Sequence, residues 1–246
     1  MYSYQTMPAQ QLNELGYPLQ LQAIREYPAR IRDIENQTPE LCLTAVTYDP
    51  LSLRFIKNPT EEICKAALFG NVAAIQYITN PTEEMCVQAV TKDGSLLQYI
   101  QSPSDQVVLA ALAQDPLAIK YVDNPSRELC EAAVNADGFA IAGIKNPDDA
   151  LKELAIRNNP WSIKAVENQT EKLCDLAVDL DPMSLFGIRI QTEELCLKAV
   201  KKDGLALKFV KHQTSRIQRA AIHQNPAAQK WVKDASQYAS STGFFK

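Results

Sequence analysis

The chain has 246 residues and a formal net charge of −4, with 46% hydrophobic and 22% charged residues. These proportions are ordinary for a soluble protein, and no apolar run approaches the length that spans a membrane. The first residues also lack the basic-then-apolar pattern of a signal peptide. We therefore predict a cytoplasmic protein that makes no membrane contact.

A stretch of 22 residues repeats without insertion along almost the whole sequence. The clearest copy is 38–59, a degenerate copy begins at Gly16, and the other copies open at Thr60, Thr82, Ser104, Ser126, Asp148, Thr170, Thr192 and Thr214. A fixed period of this length is typical of solenoids. The sequence predicts an all-α, right-handed-type α-solenoid of about ten 22-residue two-helix repeats. We expect one solenoid domain over 16–235, an N-terminal extension over 1–15 and a flexible tail over 236–246.

Within each copy, which we number from position 1 to position 22, the residues predict two helices. Position 1 is Thr, Ser or Asp, which caps helix N-termini, and apolar positions 4, 5, 8 and 9 share one helical face. Position 8 is Ala in every clear copy, which indicates that another backbone passes close by. Position 12 is Asp or Asn and predicts the cap of a second helix, which positions 21 and 22, often Asn-Pro, end. The expected lengths are about ten and seven residues.

Aromatic bulk moves between two positions of the second helix along the sequence. Position 18 is aromatic in the early copies, as in Phe55 and Tyr77, whereas in the copies that open at Ser126, Asp148 and Thr170 position 14 is large, as in Trp161, and position 18 is small. Positions 14 and 18 lie one turn apart in an α-helix and share a face. The exchange then predicts one packing site of constant volume.

The cysteines occupy a single position of the repeat. All six lie at position 5: Cys42, Cys64, Cys86, Cys130, Cys174 and Cys196. Equivalent atoms of neighbouring repeats are expected about 8–10 Å apart, which is too far for a disulfide or for shared zinc ligation. We predict reduced, half-buried cysteines that serve packing, and no metal site.

One candidate binding surface is apolar. Leu180, Phe186 and Ile190 stand at positions that usually face outward, and Trp161 precedes them by one repeat. Aromatic anchors are favoured at interfaces, so these residues predict a contiguous protein-binding patch. The alternative is a local repacking, in which Phe186 turns inward to replace the ring that Gly187 lacks.

A second candidate surface is basic. The last two repeats carry an excess of cations, and the candidates are Lys201, Lys202, Lys208, Lys211, Arg219, Lys230 and Lys233. These residues either solvate the capping end of the solenoid or bind an anionic partner such as nucleic acid. Outward positions there lack the interleaved aromatic residues with which single-strand binders stack bases.

Nothing in the sequence has the pattern of a catalytic site. There is no Gly-rich phosphate loop, no GxSxG elbow and no HExxH motif. The paired carboxylates Asp148 and Asp149 open a helix, where acidic residues serve as caps. We expect a protein that is not an enzyme and that needs no cofactor.

The segment EELCLKAVKKDGLALKFVK (193–211) resembles uncharacterised bacterial, phage and giant-virus helical repeat domains, whose units read roughly Leu-x-x-Ala-Val-x-x-Asp-Gly-x-Ala-Leu. More broadly, the chain is similar to a miniature HEAT-like α-solenoid. The resemblance implies no catalytic residues, and it implies a phage or viral accessory protein that occupies or inhibits a host defence factor. We expect a scaffold that binds another macromolecule, in the first place a protein. The alternative is nucleic-acid or polyanion binding through the basic C-terminal repeats.

Overall fold

The computed structural model describes residues 3–233, which form helices and connecting turns and contain no strand. The chain divides into two compact units, Met1–Val122 and Asp123–Lys246. Within each unit the helices follow one another with the 22-residue period, so the predicted all-α repeat fold is confirmed. The predicted tail, 236–246, lies outside the described residues.

Each clear repeat consists of a ten-residue α-helix followed by a six-residue 3-10 helix. In the first unit the order is α1 (Ala9–Glu14), α2 (Tyr17–Glu26), η1 (Pro28–Asp33), α3 (Pro39–Tyr48), η2 (Pro50–Phe55), α4 (Glu61–Gly70), η3 (Val72–Tyr77), α5 (Glu83–Lys92), η4 (Gly94–Tyr99), α6 (Asp105–Gln114) and η5 (Pro116–Tyr121). In the second unit it is α7 (Arg127–Ala136), η6 (Gly138–Gly143), α8 (Asp149–Asn158), η7 (Pro160–Ala165), α9 (Glu171–Leu180), η8 (Pro182–Gly187), α10 (Glu193–Lys202), η9 (Gly204–Phe209), α11 (Ser215–Gln224) and η10 (Pro226–Trp231).

Both helices of a repeat begin at the predicted caps. The Thr38 side chain accepts a hydrogen bond from the Leu41 amide, and the Asp49 side chain accepts one from the Leu51 amide. The same two bonds recur in every later repeat, and Asp148 caps α8 in the same way. Because the free amides at each helix start are satisfied locally, short helices end and begin within one residue of each other.

The second helix is a 3-10 helix, and this corrects one prediction. Its hydrogen bonds join residues three apart, as from the Ser52 amide to the Asp49 carbonyl at 2.9 Å. Buried positions 16 and 19, such as Ile163 and Val166, have the same spacing. With three residues per turn, positions 14 and 18 point about 120° apart. The prediction that they share a face is therefore wrong.

Position 8 is a point of close backbone approach, as predicted. Its alanine is fully buried in every clear repeat, for example Ala155. A Cβ atom added to Gly138, at position 13 of the preceding repeat, would lie 2.4 Å from the Ala155 carbonyl oxygen. The 3-10 helix of one repeat thus starts close to the α-helix backbone of the next.

The six cysteines are free thiols, and each is buried. Their exposed fractions lie between 2% for Cys42 and 6% for Cys130, so the prediction of half-buried side chains is wrong. Position 5 faces the turn that precedes its own helix, where the Cys42 thiol donates to the Gln37 carbonyl at 3.7 Å. These thiols are enclosed by the turn as well as by the neighbouring helices.

Candidate binding surface

Three aromatic rings meet on the 3-10 helices of the second unit. The ring centroids of Trp161 and Phe186 are 5.9 Å apart, and those of Phe186 and Phe209 are 5.3 Å apart. Trp161 and Phe209 also meet edge to face at 6.2 Å, although they belong to alternate repeats. Phe186 therefore lies between a ring of the preceding repeat and a ring of the following one. Such tilted and edge-to-face pairs are favourable ring geometries.

Lysine ammonium groups lie over two of these rings and over a fourth ring, Trp231. The Lys164 Nζ atom is 5.1 Å from the centroid of Phe186, and the Lys208 Nζ atom is 5.4 Å from that of Phe209. Trp231 has two such neighbours, Lys208 at 4.9 Å and Lys230 at 5.3 Å. These distances are within the range of cation–π attraction. We call this surface the aromatic–lysine face; its residues are Trp161, Lys164, Phe186, Lys208, Phe209, Lys230 and Trp231.

A groove of about 330 Å³ runs along this face. Its floor is formed by Met183 and Leu205 together with the rings of Trp161, Phe209 and Trp231, and Lys208 and Lys230 stand at its edge. Gly187 explains how the helices come close enough to build it, because a Cβ atom there would lie 2.9 Å from Cβ of Lys164. The groove is apolar inside and cationic at its rim.

The apolar candidates divide between this face and other surfaces. Phe186 contacts two rings and still exposes 48% of its surface, so it combines the two alternatives that the sequence left open. Leu180, at the end of α9, is 47% exposed, and Ile190, in the turn after η8, is 82% exposed. Neither of these two residues takes part in the ring contacts. Of the four residues of the predicted patch, Trp161 and Phe186 thus lie on the aromatic–lysine face.

The basic candidates also occupy different places. Lys202 pairs with Asp179 at 2.8 Å, the Lys211 ammonium donates to the Arg189 carbonyl, and the Lys233 ammonium donates to the Val210 carbonyl. Arg219 bonds to a carbonyl of its own helix, and Lys201 is exposed at the end of α10. Lys208 and Lys230 are the two of these candidates that lie on the aromatic–lysine face.

Lys198 and Lys202 both bond to the Asp179 carboxylate, and these hydrogen bonds hold its pKa below the usual range. The Asp179 carboxylate therefore neutralises part of the positive charge that the sequence concentrates in the last repeats. Although α10 is rich in lysine, its surface is therefore less positively charged than the sequence alone indicates.

Sequence reasoning missed Lys164, Phe209 and Trp231 as members of the site. Phe209 and Trp231 stand at position 18, which resembles a core position because early repeats also carry rings there. The structure shows both to be partly exposed. The prediction that aromatic residues do not interleave with the lysines is wrong, because position 18 is the neighbour of the lysine at position 17. A 3-10 helix places both positions on the outer side of the repeat.

Comparison of the chain with protein-family models, with curated proteins and with solved structures gives no match in any of the three. The resemblance of 193–211 to viral and bacterial repeat domains therefore stays a prediction. Within residues 3–233, no group of three or more His, Cys, Asp or Glu side chains is placed to hold a metal ion. No helix in that range has the length and apolar character needed to cross a membrane.

Proposed function

We propose that the protein is a non-catalytic helical-repeat scaffold that binds another protein through the aromatic–lysine face. The observation that supports this function is the position of Phe186, half-exposed between Trp161 and Phe209 with Lys164 above its ring. Rigid aromatic side chains beside a polar rim are typical of the centres of protein interfaces. The residues at this centre are already held in place before a partner arrives.

The partner that fits this face carries apolar side chains and carboxylates. The groove between the rings accepts apolar atoms, Lys208 and Lys230 line it, and Lys164 lies over the ring of Phe186. Among the described residues, no carboxylate forms an ion pair with Lys164, Lys208 or Lys230, so their charges are open to an acidic partner. Complementary charges at the rim steer association and fix orientation.

Nucleic-acid binding is the second candidate, because lysines and aromatic rings lie side by side. Base stacking requires an open ring face. On this surface the lysines approach the ring faces themselves, at 5.1 Å for Phe186 and 4.9 Å for Trp231. The geometry therefore favours a protein partner over a single strand.

The resemblance of 193–211 supports a more specific role. We propose that the protein is a phage or viral accessory protein and that its partner is a host protein, such as a defence factor. In that role the scaffold occupies the partner and inhibits it without chemistry of its own.

The test is capture of partners from an extract of the source cell at low and high salt, with wild type and Phe186→Ala side by side. We expect a discrete protein that wild type retains at high salt and that Phe186→Ala loses. Nucleic acid released by salt would establish the second candidate, since phosphate contacts weaken steeply as salt rises. Retention of the same protein by Phe186→Ala would contradict the proposed site.

A further inference from the structure

A glutamine at position 22 joins neighbouring repeats by three hydrogen bonds. The Gln169 Nε2 group donates to the Ile163 carbonyl at 2.7 Å and to the Gly187 carbonyl at 2.9 Å. Its Oε1 atom accepts from the Arg189 amide at 2.8 Å. The same three bonds recur at the other glutamines of this position: Gln37, Gln191 and Gln213. A primary carboxamide is thus the side chain that satisfies these backbone atoms.

Two of the three backbone groups that bond to this glutamine belong to the same repeat, the one that follows it. They are the carbonyl at position 18 and the amide at position 20, here Gly187 and Arg189. We call this pair the carboxamide socket. Its acceptor and donor are complementary to the NH₂ group and the oxygen of an amide.

The socket also receives an amide from outside the repeat pattern. Asn13 belongs to α1, before the first repeat, and its Nδ2 group donates to the Asp33 carbonyl at position 18. The Glu35 amide at position 20 donates to Asn13 Oδ1, and both distances are 2.8 Å. α1 approaches with a helical backbone and a shorter side chain. The socket therefore recognises the carboxamide group and does not depend on the segment that carries it.

Proline at position 22 leaves the socket open. A cleft of about 630 Å³ lies beside Pro147, and its lining includes Ile141, Ala165 and Glu167, the equivalents of the three partners of Gln169. Neither the Ala165 carbonyl nor the Glu167 amide has a hydrogen-bond partner among the described residues. A cleft of about 700 Å³ lies in the same way beside Pro81 in the first unit.

We propose that the cleft beside Pro147 is a binding site for an asparagine or glutamine side chain of a partner polypeptide. The carboxamide would donate to the Ala165 carbonyl and accept from the Glu167 amide, as Gln169 does one repeat later. The site is separate from the aromatic–lysine face, so it does not depend on the function proposed for that face.

The two backbone groups of the socket disfavour both charged and apolar side chains. A carboxylate would direct an oxygen toward the Ala165 carbonyl, and an aliphatic side chain would leave both backbone groups without a partner. Two cations line the cleft, but each already has an acceptor. Lys152 pairs with Asp149 at 2.9 Å, and Arg189 donates to the Glu167 carbonyl.

The test follows the backbone amide signal of Glu167 by nuclear magnetic resonance in the full-length protein. The probes are N-acetyl-glutamine N-methylamide and, as matched controls, the same compounds of norleucine and glutamate. We expect a saturable shift of the Glu167 signal with the glutamine probe, in the millimolar range that a few neutral hydrogen bonds support. Equal movement of this signal with the norleucine probe, or no movement with the glutamine probe, would overturn the proposal.

A pair of variants tests the same site without relying on probe chemistry alone. Pro147→Gln supplies a carboxamide from within the chain, and we expect it to abolish the response to the glutamine probe. Pro147→Ala also removes the proline but leaves the socket open, and we expect it to keep the response. If the two variants respond equally, the socket does not bind the probe.

Discussion

The indole Nε1 group of Trp161 donates a 2.8 Å hydrogen bond to Oδ2 of Asp181, in the following repeat. The other carboxylate oxygen of Asp181 accepts from the Met183 amide at 2.8 Å and caps η8. One side chain thus begins a helix and holds the first ring of the aromatic–lysine face. The capping hydrogen bond recurs in every clear repeat, whereas the hydrogen bond to the indole is made only by Asp181 among the described residues.

Asp181→Asn separates these two roles. Asparagine caps the second helix elsewhere in the chain, as at Asn159, but its NH₂ group does not accept from an indole. We expect the variant to lose about 1 kcal/mol of unfolding free energy relative to Asp203→Asn, whose wild-type carboxylate makes the cap bond alone. Urea unfolding measures the difference. Equal losses in the two variants would show that the indole bond contributes nothing.

Gln169→Ala removes the three bonds that join two repeats. We expect a loss of about 1–3 kcal/mol of unfolding free energy, because three backbone groups lose their partner at once. Gln229→Ala is the matched control, since Gln229 is exposed and its side chain bonds to no described residue. Urea unfolding should leave the control unchanged. A loss at Gln229 equal to that at Gln169 would contradict the account of the socket.

Ser184→Ala is expected to keep or raise stability. The Ser184 side chain is fully buried, and its hydroxyl has no hydrogen-bond partner among residues 3–233. Removing an unsatisfied buried hydroxyl gains up to about 1–3 kcal/mol. Ser52 occupies the same position but bonds to Asp49 at 3.2 Å, so Ser52→Ala is expected to destabilise. Thermal unfolding that lowers both midpoints equally would refute this contrast.

Burial raises the pKa of the Cys196 thiol to about 11, and the nearby Glu193 carboxylate adds to the shift. Because the folded-state pKa lies above the ordinary value of 9.0, the folded state holds this proton more tightly than the unfolded chain. The corresponding stability is complete below pH 9 and is lost as the pH rises through 11. At pH 8 we expect iodoacetamide to alkylate this thiol only after unfolding. Mass spectrometry of native and urea-treated samples would contradict this if the rates were equal.

The sequence contains enough local information to predict the α-helices and their caps. Thr38 and Asp49 act through hydrogen bonds to amides two or three residues away, so their roles follow from composition and spacing alone. The alanine at position 8 was also predictable, because a side-chain size that never varies reports a steric limit. The helical part of the fold was therefore accessible without any long-range information.

The type of the second helix and the members of the binding surface were harder to predict. Six residues are too few for a clear period, although the three-residue step between Ile163 and Val166 is a 3-10 signal. The contact of Trp161 with Phe209 joins alternate repeats and has no counterpart in local spacing. The socket was missed for a related reason, because Gln169 makes two of its three hydrogen bonds to the following repeat. Its three bonds become visible only when two repeats are placed side by side.

The affinity of the captured partner for Phe186→Ala tests the central claim most directly. Phe186 and Phe69 are both exposed phenylalanines, but Phe69, with 88% of its surface exposed, belongs to α4 of the first unit and makes no ring contact with any described residue. We predict that Phe186→Ala weakens binding by about tenfold or more while its melting temperature stays close to that of wild type. Phe69→Ala should bind as wild type does. Equal affinities for the two variants would contradict the account, because the aromatic–lysine face would then not be the binding surface.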